Sequence, residues 1–318
     1  MSTLIADPPA AGLRRRSPFD LGDDAAYRAW RARKLADRAR TAAELMVDVA
    51  DPRALRDAER EALLQRCARW NMAIYRTVPG GDQDKDVLRA LAAQLGLLRL
   101  DANWLADEDG ISSIAVRGGA PAPGQDRGAF IPYTDHALKW HTDGYYHPGE
   151  RRIRAMLLHC VRPAARGGEN LLLDHELAYI AVRDASPRWM RALMAADAMT
   201  IPAREGASGE ARAAQSGPVF SVDPHDGALH MRYTARTRSI VWKQDKDTLA
   251  AVAFLEQWLA GGPDGALRVR LGAGMGLVSH NVLHDRSAFV DDPARPRLVY
   301  RARYLDRLER PETPWPNG

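Results

Sequence analysis

The amino-acid sequence predicts an α+β, mainly β protein in which short strands form a sandwich or barrel and helices precede them. Apolar residues recur at helical spacing in the first third of the chain. After Gly96 they form short runs broken by Gly, Pro and Asp, which is typical of short strands joined by turns. The 318 residues suffice for one large core with an added helical layer.

Composition narrows the class of protein. Hydrophobic residues make up 46% and charged residues 27%, as in ordinary globular proteins. The net charge of +4 comes mostly from arginines interleaved with acids, a pattern that does not favour nucleic-acid binding. No apolar run approaches the roughly 20 residues that cross a bilayer. We therefore expect a cytoplasmic protein with a small-molecule substrate and no nucleic-acid or membrane partner; whether it is a homo-oligomer stays open.

The cysteines and the N-terminus add little to these expectations. Cys67 and Cys160 fit no zinc or redox spacing, so reduced, partly buried thiols are expected. Residues 1–22 are rich in Pro and Ala and are predicted to form a flexible lead-in.

Residues 23–96 are predicted to form a helical N-terminal layer. Asp51-Pro52 offers an N-cap followed by a first-turn proline, and Gly96 offers a helix stop. The predicted helices run from Asp24 to about Val49, from Asp51 through Trp70, and from Asp84 to Gly96.

Residues 97–318 are predicted to form the strand-rich core, with a helical insertion at about 180–262. Ser186-Pro187 and Gly261-Gly262 supply the start and stop signals of this insertion. Its predicted helices cover 186–196 and 247–259, and the predicted strand segments cover 111–116, 129–131, 153–161, 170–173 and 267–304.

One stretch, Lys139 to Tyr146, carries a candidate metal site. In an extended chain His141 and Asp143 project from the same face, because side chains alternate with period two. A third ligand is sought downstream at His284, which follows an apolar run. Two imidazoles and one carboxylate on one side of an ion form the facial arrangement of non-haem Fe(II) oxygenases. His280 shares a face with His284 and is a rival ligand.

These motifs together resemble the TauD/TfdA family of Fe(II)- and 2-oxoglutarate-dependent dioxygenases. The resemblance is carried by His141-x-Asp143, by Asn281-Val282-Leu283-His284 and by Arg297-x-x-x-Arg301, and it extends from about Leu88 to Tyr304. Tyr133-Thr134, Gly167-Gly168-Glu169-Asn170 and Asp174 look most like the branch that includes gamma-butyrobetaine hydroxylase. The resemblance implies a double-stranded β-helix, or jelly-roll, core.

The resemblance also implies roles for individual residues. His141, Asp143 and His284 would be the catalytic metal ligands. Arg297 would bind the distal carboxylate of 2-oxoglutarate, since an arginine fork suits a carboxylate. Asn170 stands where the family often has a threonine that bonds 2-oxoglutarate, and its amide can donate the same bond. Arg301 would lie near an anionic group of the substrate, and Arg295 and Arg303 compete with these assignments.

The family chemistry needs Fe(II), 2-oxoglutarate and O2, and releases succinate and CO2. Because Asp143 is present, hydroxylation or oxidative cleavage is favoured over halogenation, which in this family requires loss of the carboxylate. Tyr145 is the candidate for substrate binding, since an aromatic face can receive a cationic amine. Trp140 is expected to pack in the barrel. Arg117, Arg232 and Arg236 also lie in segments that could reach the pocket.

The predicted substrate is a small polar metabolite, such as an amine, an amino acid or a carboxylate. The cysteine-rich zinc module of the carnitine-pathway enzymes is absent, so an identical substrate is not expected. Two alternatives remain at the level of sequence. The chain could be a cupin-like metal enzyme that does not use 2-oxoglutarate, or a metal- or metabolite-binding regulator with an inactive barrel.

Overall fold

The computed structural model describes residues 17–78, 84–102, 107–116, 131–203, 212–236 and 240–312. These residues form six α-helices. The helices are α1 (Asp24–Ala36), α2 (Asp57–Trp70), α3 (Asp86–Gln94), α4 (His175–Ala185), α5 (Pro187–Leu193) and α6 (Lys246–Ala260).

The strands of the described residues are short and are numbered in chain order. They are β1 (Met46–Asp48), β2 (Met72–Arg76), β3 (Ser112–Ile114), β4 (Leu138–His141), β5 (Ala155–Arg162), β6 (Arg166–Gly167), β7 (Asn170–Leu173), β8 (Met199–Ile201), β9 (Gln215–Gly217), β10 (Phe220–Val222), β11 (Leu229–Met231), β12 (Val241–Trp242), β13 (Leu267–Val269), β14 (Met275–Ser279), β15 (Leu283–Arg286), β16 (Phe289–Val290) and β17 (Leu298–Tyr304).

Two sheets face each other across a shared apolar core. A six-stranded sheet has the order β1-β2-β14-β5-β17-β3, and a four-stranded sheet has the order β13-β7-β15-β4. Leu158 and Leu277 from the first sheet and Leu172 and Val269 from the second belong to one buried cluster. Alternation along each strand sends these side chains inward, so the burial of apolar surface joins the sheets.

Helices cover the outer face of the six-stranded sheet. Leu63 of α2 and Leu88 of α3 pack with Tyr75, Leu157 and other residues of that sheet in a second buried cluster. A third cluster joins α4, α5 and α6 to the inserted strands. Trp140 packs in this cluster and not between the two sheets, where it was expected from the sequence, because it alternates with His141 along β4. The four-stranded sheet, which carries the candidate ligands, is therefore supported from both sides.

Three of the predicted helices agree with the structure to within a few residues. These are α3, α5 and α6. Ser186 caps α5, since its hydroxyl accepts a hydrogen bond from the backbone N–H of Trp189, and Gly96 follows α3 with φ of 81°. Such positive φ values suit glycine because it has no Cβ.

The first predicted helix is wrong beyond residue 36. The segment to Val49 instead contains a 3₁₀ turn, Ala42–Leu45, followed by strand β1. Met46 to Asp48 pair in parallel with Ile74 to Arg76 of β2, and Val47 is buried. Tertiary pairing therefore overrides the helix propensity of this stretch, which contains three alanines.

The second predicted helix begins six residues later than expected. Asp51-Pro52 opens a turn, in which the Asp51 carboxylate accepts the N–H of Arg53. Helix α2 begins at Asp57, where Glu59 reaches back to the N–H of Arg56. Residues 23–96 thus include strands β1 and β2 besides helices, because these strands extend the six-stranded sheet.

The insertion at about 180–262 is also less helical than predicted. It contains strands β8 to β12, whose two or three residues give too short a period-two pattern to detect in sequence. Helix α4, capped by Asp174, was not predicted either. Ile131, expected in a strand, begins a 3₁₀ turn, and residues 129 and 130 lie outside the described residues.

Cys67 and Cys160 are free, as predicted, but both are fully buried and not partly buried. Among the described residues, none of the helices combines the length and the apolar character that a bilayer span requires.

Candidate metal centre

His141, Asp143 and His284 meet at one buried point of the four-stranded sheet. One possible ligand atom from each lies within 4.8 Å of the others. His141 and His284 are register partners on the neighbouring strands β4 and β15, and their ring centroids lie 4.2 Å apart. Pairing of these two strands therefore brings together side chains 143 positions apart in the chain.

Asp143 reaches this point from a turn and not from a strand. The extended stretch predicted for residues 139–146 ends at His141, where β4 ends. Gly144 then turns the chain with φ of 68°, and a Cβ at this position would overlap Ile153. Glycine is required here because the backbone is left-handed and Ile153 approaches closely.

Backbone carbonyls fix the orientation of both imidazoles. Nδ1 of His141 lies 2.9 Å from the carbonyl oxygen of Lys139, and Nδ1 of His284 lies 3.0 Å from that of Val282. Each Nδ1 therefore carries the proton, and each Nε2 is left as a metal-binding atom. Burial, together with the nearby His284, lowers the pKa of His141 to about 3, which favours the neutral form that metals bind.

Asp143 is an ionised carboxylate, and one of its two oxygens has no hydrogen-bond partner among the described residues. Burial raises its pKa, but the nearby Arg301, Arg303 and His284 outweigh burial and bring the pKa below the ordinary value. Oδ1 lies 3.2 Å from Nη1 of Arg301, whereas the buried Oδ2 has no hydrogen-bond partner among the described residues. A cation would satisfy this oxygen, so the three residues fit a divalent metal.

Arg297 and Asn170 line one small cavity, together with Cys160 and Gly168. The guanidinium of Arg297 is buried, and its Nη1 has no partner among the described residues. Asn170 donates a hydrogen bond of 2.6 Å from its amide to the carbonyl oxygen of Asp285. The carboxylate of Asp291 accepts the backbone N–H of Arg297 and acts on its charge, but no carboxylate among the described residues bonds Nη1. A bound carboxylate would satisfy this buried nitrogen.

The competing arginines occupy different environments. Arg295 is exposed on a turn. Arg303 is buried, but it donates to Asp101 at 2.7 Å and to the hydroxyl of Tyr146 at 2.9 Å. Of Arg295, Arg297 and Arg303, Arg297 is the one with a buried nitrogen that has no partner among the described residues; Nε of Arg301 is likewise without one there.

Of the two residues predicted to bind substrate, Arg301 contacts a proposed metal ligand, whereas Tyr145 packs on the neighbouring Tyr146. Arg301 is buried and directly contacts Asp143. The ring of Tyr145 is half-buried and packs edge-to-face on Tyr146, with the centroids 5.3 Å apart. Arg303 in turn holds the hydroxyl of Tyr146, so the aromatic pair has a fixed support.

The other candidates lie elsewhere. His280 faces away from the ligands and lines a separate cleft with Lys34, Glu176 and Arg307, so the rival-ligand hypothesis is wrong. Arg232 donates to backbone carbonyls, including those of Tyr145 and Gln215, which indicates a structural role. Arg236 is half-buried, and Arg117 lies outside the described residues.

Two features of the site escaped sequence reasoning. Asn281 was noted only as part of a motif, yet its side chain bonds both backbone groups of Asp143. Asp101 has no motif around it, although it is buried and accepts from Arg303, Arg151 and His147. In the sequence Asp101 is recognisable only as an acidic residue among apolar ones. That pattern is too common to identify a site residue.

The chain matches the family model described as "Taurine catabolism dioxygenase TauD, TfdA family" over residues 32–303. The protein belongs to this family. With the His141–Asp143–His284 site, it is an Fe(II)- and 2-oxoglutarate-dependent dioxygenase. The alternatives of a cupin-like enzyme without 2-oxoglutarate and of an inactive regulator lose their support.

Curated relatives include two uridine-5'-phosphate dioxygenases. One, from Streptomyces sp, is 29% identical over 215 residues, which cover 64% of this chain and 72% of the relative. The other, from Amycolatopsis sp, is 31% identical over 177 residues, which cover 52% of this chain and 60% of the relative. These similarities do not support the predicted gamma-butyrobetaine hydroxylase-like branch. That prediction relied on Tyr133-Thr134, Gly167 to Asn170 and Asp174. In the structure Gly167 has a φ of 73° and Asp174 caps helix α4, so part of this pattern serves local structure and carries little information on substrate.

Solved structures support the fold. An asparagine oxygenase in complex with Fe(II), 3-hydroxyasparagine and succinate matches with a TM-score of 0.55 and 16% identity, covering 92% of this chain and 87% of that chain. A taurine dioxygenase from Burkholderia xenovorans matches with a TM-score of 0.54 and 18% identity, covering 82% and 88%. At these identities the likeness concerns the fold alone.

Proposed function

We propose that this dioxygenase oxidises a nucleoside 5'-monophosphate, with uridine 5'-phosphate as the first candidate. The observation that carries the proposal is the buried guanidinium of Arg301 beside the ligand Asp143, combined with relatives named for uridine 5'-phosphate. The two facing sheets would form the double-stranded β-helix core of the family.

His141, Asp143 and His284 are the proposed Fe(II) ligands. Two neutral imidazoles and one carboxylate form a ligand set with a single negative charge. On the opposite side of the ion they leave coordination positions open. When bound, iron and 2-oxoglutarate together supply the O2-dependent oxidation of a substrate C–H bond, with succinate and CO2 as co-products. The chain's own residues bind, orient and shield these groups.

Arg297 and Asn170 are the proposed residues for the distal carboxylate of 2-oxoglutarate. The support is that they share one cavity and that Nη1 of Arg297 has no partner among the described residues. Burial lowers the pKa of Arg297, yet an arginine stays charged near neutral pH. A carboxylate at this position would compensate the buried charge.

Arg301 is the proposed partner of the substrate phosphate. In the metal-free site it pairs with Asp143, but a bound cation would share the charge of that carboxylate. The guanidinium could then form charge-assisted hydrogen bonds to a phosphate oxygen. Tyr145, supported by Tyr146, offers an aromatic face for a base, which replaces the cationic amine expected from the sequence.

The test is a substrate screen of the Fe(II)-loaded enzyme with 2-oxoglutarate under air. Uridine 5'-phosphate, cytidine 5'-phosphate and uridine are compared with taurine, amino acids and amines, with succinate and nucleotide products followed by mass spectrometry. We expect substrate-dependent succinate release with a nucleoside monophosphate and much less with uridine. Arg301→Gln should raise KM for the nucleotide about 10-fold or more, because a charge-assisted bond contributes roughly 1.5–3 kcal/mol. Stimulation by an amine or amino acid alone would refute the proposed substrate class.

A further inference from the structure

Asn281 makes three hydrogen bonds through one side-chain amide. Its Oδ1 accepts the backbone N–H of Asp143 at 2.7 Å. Its Nδ2 donates to the carbonyl oxygens of Asp143 and of Ile153, both at 2.9 Å. The orientation of the amide is unambiguous, because a backbone N–H can only donate and carbonyls can only accept.

These bonds replace a strand partner that Asp143 lacks. Strand β4 ends at His141, and the backbone of Thr142 pairs with Tyr233. One residue further on, Asp143 is buried, and Asn281 is the partner that the described residues offer to both its N–H and its C=O. Leaving a buried backbone group unpaired is costly, so the amide fixes the peptide on both sides of the ligand.

The backbone of Asn281 explains why an asparagine stands here. Its φ is 55°, in the left-handed region that Gly and Asn tolerate best. Glycine would accept this conformation without offering an amide, and most other residues would be strained. The carbonyl oxygen of Asn71 accepts the N–H of His280, which secures the turn just before Asn281.

Asn281 also links two ligands that come from distant parts of the chain. It lies in the turn between β14 and β15, three residues before His284. The same turn that starts the His284 strand therefore fixes the backbone of Asp143. The separation of these two ligands is set before any ion is bound.

We propose that Asn281 is a positioning residue that preorganises Asp143 for metal binding. It touches neither metal nor substrate, and it acts through the backbone of the ligand. Outer-shell partners of this kind typically change metal affinity by about 10–100-fold. The inference rests on the proposed ligand set His141, Asp143 and His284.

The test uses Co(II), whose visible absorption bands report the ligand geometry. Titration of the metal-free full chain with Co(II) gives both the dissociation constant and the band pattern. Asn281→Gly keeps a residue that accepts the left-handed backbone and removes the amide. We expect about 10–100-fold weaker Co(II) binding and altered bands.

Asn71→Gly is the matched control. Asn71 is also left-handed, with φ of 61°, and its side chain bonds Asp174 and His280 but not Asp143. Its backbone carbonyl, which accepts the N–H of His280 and holds the turn, is kept in the glycine variant. This variant should lower Tm but leave Co(II) affinity and bands unchanged. Equal Co(II) affinity in wild type and Asn281→Gly would overturn the positioning role, whereas failure of the wild type to bind Co(II) would overturn the ligand set.

A second measurement needs no variant. Hydrogen exchange of the Asp143 amide is followed by NMR in the metal-free chain. Preorganisation predicts that this amide is already protected, because Asn281 accepts it without metal. Free exchange that becomes slow only after Co(II) is added would contradict the inference.

Discussion

Nη1 of Arg301 lies 3.2 Å from Oδ1 of Asp143, so the arginine expected to face the substrate also contacts a proposed metal ligand. Both side chains are buried, and the pair neutralises charge that would otherwise be costly inside the protein. The contact leaves Oδ2 of Asp143 unpaired among the described residues. Asp143 can therefore bind a cation through Oδ2 while Oδ1 stays paired with Arg301.

Asp143→Ala should remove metal binding. The variant loses one of three proposed ligands, so Fe(II) affinity should fall by more than the roughly 100-fold upper end of outer-shell changes. The measurement is an anaerobic titration of 2-oxoglutarate into Fe(II)-loaded protein, followed by the visible metal-to-ligand charge-transfer band. The band should be present in wild type and absent in the variant.

Asp135→Ala is the control for this titration. Asp135 is also acidic and close in sequence, but it is exposed. It should retain the band at wild-type intensity. A full band in Asp143→Ala would mean that Asp143 is not a ligand.

Arg297→Gln should weaken 2-oxoglutarate binding by about 10–100-fold, since a charge-assisted bond to its distal carboxylate contributes roughly 1.5–3 kcal/mol. The dissociation constant is read from the same charge-transfer band. Arg295→Gln, at an exposed position two residues earlier, should behave as wild type. 2-Oxobutyrate, which lacks the distal carboxylate, should bind both variants as it binds wild type. A selective loss in Arg295→Gln would reassign the role.

Gly276→Ala should destabilise the fold. Gly276 lies on β14 between β2 and β5, and a Cβ there would overlap the ring of Tyr75 and the carbonyl of Leu158. Overpacking of this kind costs about 1–3 kcal/mol. Urea unfolding should show a lower midpoint than in Gly149→Ala, where a Cβ has no neighbour within 4 Å. Equal midpoints would show that the sheet relaxes around the methyl group.

The sequence predicted those site residues whose type and spacing are unusual. His141 and His284 stand out because two histidines in distant strands resemble one family motif. Asn281 and Asp101 do not, because their roles arise from contacts with residues more than 40 positions away. A single sequence holds no information on which distant backbone group an amide will meet.

The fold was predicted best where local signals agree with tertiary packing. Helix α6 has an Asp245 cap, an apolar face and a glycine stop, and it was predicted to within one residue. The segment after Ala36 has similar helical propensity but becomes strand β1, because β2 offers it a pairing edge. The short strands β8 to β12 likewise form through pairing with one another: β8 pairs with β9 and β12, and β10 pairs with β11.

Buried histidines make the metal-free protein sensitive to acid. His175 and His280 are buried and His230 is half-buried, and desolvation holds the pKa of all three below the ordinary value; Arg307 adds to the effect at His280. In the unfolded chain histidines take up a proton near pH 6.5. Unfolding therefore takes up protons below that pH, and the free energy of unfolding should fall as pH falls from about 7.5 to 5.5.

The variant His280→Gln tests whether the free energy of unfolding falls with pH because of the buried histidines. Urea unfolding of the metal-free chain at pH 7.5 and 5.5 gives the loss of stability for each variant. Each buried histidine contributes at most about 1.4 kcal/mol per pH unit, so removing one should reduce the loss measurably. His136→Gln is the control, because His136 is exposed and should leave the loss unchanged. The contrary outcome is that His280→Gln loses as much stability as wild type between these pH values. His280 would then take up its proton equally in the folded and the unfolded chain. The cleft that His280 lines with Lys34 and Arg307 would have to open to allow this.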